Sequence, residues 1–310
     1  MRCGGEKGKK DGRRGRRQRY KCILCGYIFE SKRRLRSDGQ KSLWLQYCYE
    51  RKTYAQIARD TKRSKRWVQG RIDSATAEKT FVESGETVII MDTTYFGRDF
   101  GMMVFRCAER KKNLLWRMVS YETNAEYLGG VNELKAKGWR VSGIVCDGRR
   151  GLPQLFPGIP VQICQFHQLQ IITRYITRRP KLPASIELRG FALLLTETDE
   201  ASFSYWLREW HEKWKEFLAE KSFDAERKQF RYTHRRLRSA YRSLKTNMPY
   251  LFTFQRYREL GMPNTTNSLE GSFSHLKEKI RLHRGLKKSR KLKLIHQLLF
   301  STSQPHTFCH

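Results

Sequence analysis

Three acidic residues of this 310-residue sequence occupy positions where carboxylates can hold divalent cations. Asp92 follows the apolar run 87–91, Asp147 follows the apolar run 141–146, and Glu270 lies in a later amphipathic segment. Mg²⁺ prefers oxygen ligands, and two such ions about 4 Å apart serve phosphodiester hydrolysis and transfer. One aspartate at a strand end usually caps a turn or a helix, but three acids in the order strand, strand, late helix favour a metal site.

The two apolar runs predict buried strands, because each is short, continuous and of strand type. The residues around them predict further elements of an α/β sheet: strands 101–107, 114–119 and 161–164, and a helix at 126–137. Ligands in α/β proteins bind beyond the strand ends, so we expect Asp92 and Asp147 at that edge of the sheet.

The segment 267–286 predicts a helix that packs on this sheet. Glu270 lies on the stripe beside its apolar face, from which it can point at the aspartates. The apolar face consists of Leu269, Phe273, Leu276 and Ile280. Between the sheet and this helix, residues 165–260 predict helices, and Trp206, Trp210 and Trp214 recur every four residues as the core of that segment.

The charge balance points to a nucleic-acid partner. Lys and Arg number 63 against 30 Asp and Glu, a formal net charge of +33, which a polyanion would neutralise. Ribosomal and chromatin proteins are also basic but tend to be smaller and less apolar, whereas 39% of this chain is hydrophobic. The start, MRCGGEKGKK, lacks an apolar signal region, and no run of about 18 apolar residues predicts a membrane span. Eight scattered cysteines fit a reducing compartment, so we expect a cytoplasmic, nucleoid-associated protein.

The basic segment 1–36 is similar to a zinc ribbon. Cys22 and Cys25 form a CxxCG turn followed by aromatic residues, which resembles a second zinc knuckle. Cys3 stands where the first knuckle would have its second cysteine, and that cysteine's partner would fall before Met1. Three ligands are therefore predicted, and the site is truncated, is completed by another group, or no longer binds zinc. The alternative is a basic arm that only contacts phosphates.

Residues 37–80 predict a helix-turn-helix domain that binds DNA. Its core would be Ile57, Val68 and Ile72, and Ser64 would cap the second helix. The second helix carries side chains suited to phosphates and base edges in a major groove. These are Lys65, Arg66, Gln69 and Arg71.

Four landmarks together resemble the DDE transposases of bacterial insertion sequences, related to the Mutator-like group. They are Met91-Asp92-Thr93-Thr94, Cys146-Asp147-Gly148, Cys164-Gln165-Phe166-His167 and Asn267-Ser268-Leu269-Glu270-Gly271. The resemblance covers about residues 86–286. It implies an α/β, ribonuclease-H-like catalytic domain with an all-helical insertion, preceded by the zinc-ribbon-like segment and the helix-turn-helix. The implied divisions are 1–36, 37–80, 86–164 as the first catalytic part, 165–260 as the insertion, and 261–310 as the Glu-bearing helix and basic tail.

The resemblance also implies a function and a ligand set. Asp92, Asp147 and Glu270 would bind Mg²⁺ or Mn²⁺, and Glu270 is selected over neighbouring acids mainly by this resemblance. The enzyme would cleave element ends and transfer the 3′-OH strands to target DNA, as a homo-oligomer on double-stranded DNA. Cys164 and His167 match the family's C-x-x-H motif and would orient the start of the insertion, with metal binding left open. Two alternatives remain: a nuclease of the same fold, such as a Holliday-junction resolvase, and a transposase-derived DNA-binding protein without activity.

Overall fold

The computed structural model describes residues 3, 7–15, 17–30, 37–50, 52–75, 83–283 and 285–301. The chain divides into two compact units, residues 1–76 and residues 77–310, here called the N-terminal unit and the larger unit. None of the helices in these described ranges combines the length and the apolar character that crossing a membrane requires.

The N-terminal unit contains a three-stranded antiparallel sheet and three helices. The strands are β1 (Gly8–Arg14), β2 (Arg17–Cys22) and β3 (Ile28–Glu30), and the helices are α1 (Ser37–Tyr49), α2 (Tyr54–Asp60) and α3 (Lys65–Ser74). The predicted small core is confirmed, because Ile57, Val68 and Ile72 are buried. The predicted cap is confirmed as well, since the Ser64 hydroxyl accepts a hydrogen bond from the Trp67 amide at 3.2 Å.

The larger unit is built on a five-stranded mixed sheet, which confirms an α/β fold. Its strands are β4 (Glu86–Tyr95), β5 (Gly101–Cys107), β6 (Asn113–Val119), β7 (Arg140–Cys146) and β8 (Val161–Ile163). Their order across the sheet is β6-β5-β4-β7-β8, with β4, β5 and β6 antiparallel and β4, β7 and β8 parallel. The apolar runs that end in the two aspartates therefore form neighbouring parallel strands at the centre of the sheet.

Helix α4 (Asn124–Ala136) covers one face of the sheet. Strand residues Ile89, Met91 and Phe105 share a buried cluster with its apolar side chains. Gly130 allows this close approach, because a Cβ there would lie 1.9 Å from Cζ of Phe105. A mid-helix glycine costs about 1 kcal/mol relative to alanine, so its presence reflects the packing requirement.

The opposite face of the sheet carries α10 (Asn267–Leu282) and α11 (Lys288–Ser301), which pack against β4 and β6 respectively. The predicted apolar face of α10 is confirmed, because Leu269, Phe273, Leu276 and Ile280 are the buried residues of this helix. The sequence therefore predicted which side of the Glu270-bearing helix meets the sheet.

Between β8 and α10 the chain forms a mainly helical segment with its own core. Its helices are α5 (Gln165–Ile176), α6 (Pro183–Leu193), α7 (Glu200–Ala219), α8 (Arg235–Leu251) and α9 (Thr253–Arg256). Short 3₁₀ helices lie within this segment at Leu194–Thr196 and Arg258–Leu260, and another, Pro153–Leu155, precedes β8. Of the tryptophan stripe, Trp210 is buried in this core and donates its indole N–H to the Ala184 carbonyl at 2.9 Å.

The prediction that this segment is all-helical was wrong in one place. Strands β9 (Lys221–Asp224) and β10 (Gln229–Tyr232) form an antiparallel hairpin between α7 and α8. Phe223 and Phe230 face each other across it, with ring centroids 5.3 Å apart. Such a cross-strand aromatic pair stabilises a short hairpin even where the surrounding sequence is helical. The finer domain boundaries within each unit stay predictions.

Candidate active site

Asp92 and Asp147 lie side by side. Asp147 directly follows β7 as predicted, but the prediction that Asp92 ends its strand was wrong, because pairing with β5 extends β4 three residues further, to Tyr95. Ile90 pairs with Val145 in the parallel register of these strands, so two residues further along each strand Asp92 stands opposite Asp147. Adjacent strands are about 4.8 Å apart, and paired residues share a face of the sheet. The same register continues into β8, where Cys146 pairs with Ile163 and the Cys164 amide donates to the Cys146 carbonyl at 2.8 Å. Asp92, Asp147 and Cys164 therefore form one row across three parallel strands.

The carboxylates at this edge repel one another. The pKa of Asp92 is raised to about 7, chiefly by burial; the negative charges of Asp147 and Glu122 contribute to the rise, and His167 and the Thr93 amide oppose it. Burial also raises the pKa of Asp147 and of Glu122, and the charge of Asp147 adds to the rise at Glu122. Three interacting carboxyl groups with raised pKa values form a site, and a bound cation would relieve the repulsion among their negative charges.

Glu122 is the acidic member that the sequence did not indicate. Its carboxylate accepts a 2.6 Å hydrogen bond from the Tyr127 hydroxyl, which lies 3.1 Å from the Thr93 hydroxyl next to Asp92. The Glu122 amide donates to the Tyr95 hydroxyl at 2.8 Å. These contacts hold Glu122 against the end of β4 although it belongs to the turn before α4. No sequence signal distinguishes it from an ordinary acid beside a helix cap.

Glu270 reaches the site through contacts with Thr266 and His167. The Thr266 hydroxyl donates to Oε1 of Glu270 at 3.0 Å, and Nε2 of His167 lies 3.5 Å from the same oxygen. The Thr266 amide and hydroxyl both lie 3.3 Å from Sγ of Cys164. Cys164 thus anchors the start of α10, which fixes the position of Glu270 relative to β8. Thr266 is a second site residue that the sequence pattern did not reveal.

Cys164 and His167 form a polarised pair. Burial by itself would raise the pKa of the Cys164 thiol, but hydrogen bonds from His167 and Thr266 outweigh burial and lower it. The hydrogen bond to Cys164 raises the pKa of His167 to about 9 against the effect of burial, and the charges of Cys164, Asp92 and Glu270 add to the rise. The imidazolium therefore lies within the field of both Asp92 and Glu270 and links the two halves of the site.

Potential ligand atoms converge in two places within the described part of the chain. Cys164, His167 and Glu270 form one group, and their ligand atoms lie within 4.8 Å of one another. The predicted trio is thus divided: Asp92 and Asp147 stand together in the strand row, while Glu270 is grouped with His167 and Cys164.

The second group consists of Cys3, Cys22 and Cys25 in the N-terminal unit, again within 4.8 Å of one another. Sγ of Cys3 lies 3.5 Å from Sγ of Cys22, and a hydrogen bond from the Cys25 backbone amide lowers the pKa of Cys22 to about 7. Three thiols, one of them readily ionised, suit a thiophilic ion such as zinc. The structure thus brings together the three cysteines that the sequence selected.

The predicted DNA-contacting residues lie on α3 but do not share one face. Lys65 and Arg66 are exposed, and Gln69, three residues after Arg66, is half-buried at the edge of the face that contains Val68 and Ile72. Arg71 lies elsewhere, with its guanidinium carbon 5.3 Å from the centre of the Trp67 ring. Its stacking on tryptophan separates it from the other three.

A basic cavity of about 740 Å³ opens directly after Asp147. Its lining includes Arg149 and Arg150 from the loop that follows β7, Arg174 from α5 and Arg242 from α8. Two tyrosines and several neutral polar side chains complete the wall, namely Tyr175, Tyr250, Ser243 and Asn247. The carboxylate site thus adjoins a cationic hollow between the sheet and the helical segment.

No protein-family model matches the chain, and no curated protein matches it.

Proposed function

We propose that this chain is a DDE-type DNA transposase that cleaves insertion-sequence ends and joins the 3′-OH strands to target DNA. The observation that carries the proposal is the row formed by Asp92 and Asp147 at equal height on adjacent parallel strands, with raised pKa values. Burying two neighbouring acids does not stabilise a strongly basic chain. Cation binding beside a polyanion therefore explains the positions of Asp92 and Asp147 best.

Asp92, Asp147 and Glu270 would hold the divalent ions, Mg²⁺ or Mn²⁺. When bound there, such ions activate the attacking oxygen and stabilise the leaving oxygen of a phosphodiester. Glu122 adds a fourth carboxylate to this site, and Tyr127 orients it through the 2.6 Å hydrogen bond. His167 holds Glu270 in place and offsets part of the negative charge around Asp92.

The basic cavity beside Asp147 fits the DNA strand that is to be cut. Arg149, Arg150, Arg174 and Arg242 are suited to backbone phosphates on either side of a scissile bond. Because the cavity begins at Gly148, a strand bound there passes the carboxylate row directly. The mixed sheet, and the 123 residues from Asp147 to Glu270 (270 − 147), are compatible with a ribonuclease-H-like domain that contains an insertion.

The N-terminal unit would recognise the element ends. Helices α2 and α3 fit a helix-turn-helix whose exposed Lys65 and Arg66, with the half-buried Gln69, would contact a major groove. Cys3, Cys22 and Cys25 offer three thiols to a zinc ion in a ribbon-like sheet. We further propose that the protein acts as a homo-oligomer on paired element ends in the nucleoid, as its resemblance to DDE transposases implies.

The test compares Asp92→Asn, Asp147→Asn and Glu270→Gln with the wild type on end-containing DNA in Mg²⁺. Each variant should lose strand cleavage and joining by roughly 10²–10³-fold or more, the range for removing one electrostatic stabiliser of a transition state. Binding to the ends should persist. Glu109→Gln, an exposed acid in the turn after β5, serves as the matched control.

Two substrates separate the proposed reaction from its alternatives. Uncut ends report cleavage and joining, and pre-cut ends with a free 3′-OH report joining alone. Cleavage without any joining would identify a nuclease instead. Binding of end DNA by the wild type without metal-dependent nicking would identify a DNA-binding protein without activity, and full activity of any one carboxylate variant would refute the assignment.

A further inference from the structure

Arg106 of β5 carries a buried charge. Its residue is 7% exposed, and Nε and Nη1 of its guanidinium are buried with no hydrogen-bond partner among the described residues. Burial also lowers the pKa of Arg106. A buried cation without a partner destabilises a fold, because nothing replaces the water that hydrated it, so a compensating anion is expected.

The guanidinium lines a groove of about 410 Å³ between α10 and α11. The other polar residues of this wall include Lys111, Asn267, Ser268, Ser272 and His275. Gly271 lies at the same wall, and no atom comes within 4 Å of the position that a Cβ would take there. The helix surface is therefore open to a ligand.

The amino terminus of α10 adds a positive potential to the groove. Asn267 and Ser268 are its first two residues, and α10 is 16 residues long. Thr266, which precedes them, makes no side-chain cap, because its hydroxyl is committed to Cys164 and Glu270. Helix starts of this kind favour anions through their free amides and the helix dipole.

The groove and the carboxylate site lie on opposite flanks of α10. Ile90 pairs with Arg106 and Asp92 pairs with Val104 in the antiparallel register of β4 and β5, so Arg106 and Asp92 share one face of the sheet. On α10, Glu270 and Ser272 stand on either side of the buried face that contains Leu269 and Phe273, and Ser272 lines the groove. A single strand of DNA that crosses the start of this helix could contact both sites.

We propose that the Arg106 groove binds a phosphoryl group, and that its source is a backbone phosphate of the DNA. The guanidinium and the first amides of α10 are suited to phosphate oxygens, and Lys111 adds a second positive charge. Only the assignment of DNA as the source rests on the proposed transposase function. The phosphate site itself stands on the groove and on Arg106.

The first experiment uses the full chain with inorganic phosphate as the probe. The midpoint of thermal unfolding is measured against phosphate concentration at constant ionic strength, for the wild type, Arg106→Met and the control Arg110→Met. Arg110 is exposed in the turn after β5 and lies outside the groove. We expect the midpoint of the wild type and of Arg110→Met to rise with phosphate, and that of Arg106→Met to rise clearly less. An equal rise in all three proteins overturns the site.

The second experiment identifies the source of the phosphate. The affinity for end-containing DNA is measured against salt concentration, and the slope of log K against log[salt] should fall by about one in Arg106→Met relative to Arg110→Met. A lost phosphate response with an unchanged slope retains the site but overturns DNA as its source, whether or not the chain proves to be a transposase.

A second variant keeps the inference testable if Arg106→Met does not fold. Lys111→Asn changes an exposed residue whose φ of 51° suits asparagine, so folding should be preserved. It should reduce the phosphate-induced rise of the midpoint relative to Arg110→Met. An undiminished rise in Lys111→Asn would then overturn the site.

Discussion

The acidic cluster of the larger unit and the cysteine cluster of the N-terminal unit are organised in different ways. Asp92 lies within the central strand β4 and Asp147 directly follows β7, and hydrogen bonds from Tyr127 and Thr266 hold Glu122 and Glu270. Cys22 is the last residue of β2 in a small three-stranded sheet, whereas Cys3 and Cys25 lie in turns outside its strands and are exposed. A large core keeps the carboxylates close together despite their repulsion, whereas Cys22 is the one buried residue among those whose burial is described in residues 7–30, which contain β1–β3.

This difference assigns opposite roles to the two proposed metals. In the acidic cluster the fold exists first and an ion would relieve the strain among the charges. In the cysteine cluster an ion would supply much of the folding free energy, as structural zinc does in small domains. Three experiments would break or sharpen this contrast, in order of decreasing expected effect.

The largest expected effect is the loss of structure in β1–β3 when metal is removed. Amides in β2 and β3 of the full chain should exchange with solvent like those of an unfolded segment after treatment with a strong zinc chelator, while those in β4 and β7 stay protected. Structural zinc contributes roughly 10 kcal/mol or more of apparent binding free energy, so the change should be large. Hydrogen exchange followed by mass spectrometry measures both regions in one sample.

Cys22→Ser should reproduce this loss without a chelator, and Cys107→Ala, a buried cysteine of β5, is the control. In the chelated wild type, added zinc should restore protection from exchange to β2 and β3, and added Mg²⁺ should not. Strong protection of β2 and β3 in the metal-free protein would show that the small sheet is stable by itself, and the contrast would fail.

The next effect concerns the loss of hydration that burial imposes on the Asp92 carboxylate. Its pKa is raised from 3.8 to about 7 in the folded protein, so the folded state binds this proton more tightly than the unfolded state. The metal-free protein should therefore lose stability as pH rises from about 4 to about 7. At about 1.4 kcal/mol per tenfold change in proton affinity, the loss is on the order of 4 kcal/mol.

Asp92→Asn removes this titration, so it should be more stable than the wild type at pH 8 without metal. The advantage should vanish near pH 4, and Mg²⁺ should reverse it by stabilising the wild type alone. Denaturant unfolding across this pH range, with Glu109→Gln as the control, measures the effect. An Asp92→Asn variant that is less stable than the wild type at pH 8 would show that the carboxylate has a structural role.

The smallest expected effect comes from Tyr127→Phe, which deletes one hydroxyl beside the acidic cluster. Glu122 would lose its 2.6 Å hydrogen bond and become free to turn away from Asp92 and Asp147. Loss of an outer partner of a metal ligand typically reduces metal affinity or activity about 10- to 100-fold. Titration of DNA cleavage with Mg²⁺ should show that the variant requires a higher Mg²⁺ concentration than the wild type. Tyr241→Phe in α8 should behave as the wild type. An unchanged Mg²⁺ requirement would remove Glu122 from the proposed ligand set.

Several parts of the fold were predictable because their causes are local. The apolar runs before Asp92 and Asp147 form strands since they are short, continuous and fully buried, and the apolar stripe of α10 follows from helical periodicity. Ser64 caps α3 because its hydroxyl reaches an amide three residues ahead. The hairpin of β9 and β10 was missed, because its stability depends on the contact between Phe223 and Phe230 rather than on a strong local strand signal.

The acidic cluster was predictable only in part. Asp92 and Asp147 follow from the buried apolar runs that precede them, but Glu122 and Thr266 do not follow from any spacing. Glu122 depends on Tyr127, which α4 carries back to the end of β4, and Thr266 depends on Cys164, which is 102 residues earlier in the chain. Arg106 looked like one cation among many in a basic sequence until burial left it without a partner.

The sequence by itself therefore determined the chemical types in this protein: a polycationic chain, acids after buried strands, and cysteines at knuckle spacing. These properties depend on composition and on contacts between near neighbours in the chain. The tertiary structure alone decided which groups lie close enough to interact electrostatically. Strand register aligns Asp92, Asp147 and Cys164, and the packing of α10 separates Glu270 from the Arg106 groove. Electrostatic interactions depend on distance in space, and the fold sets that distance.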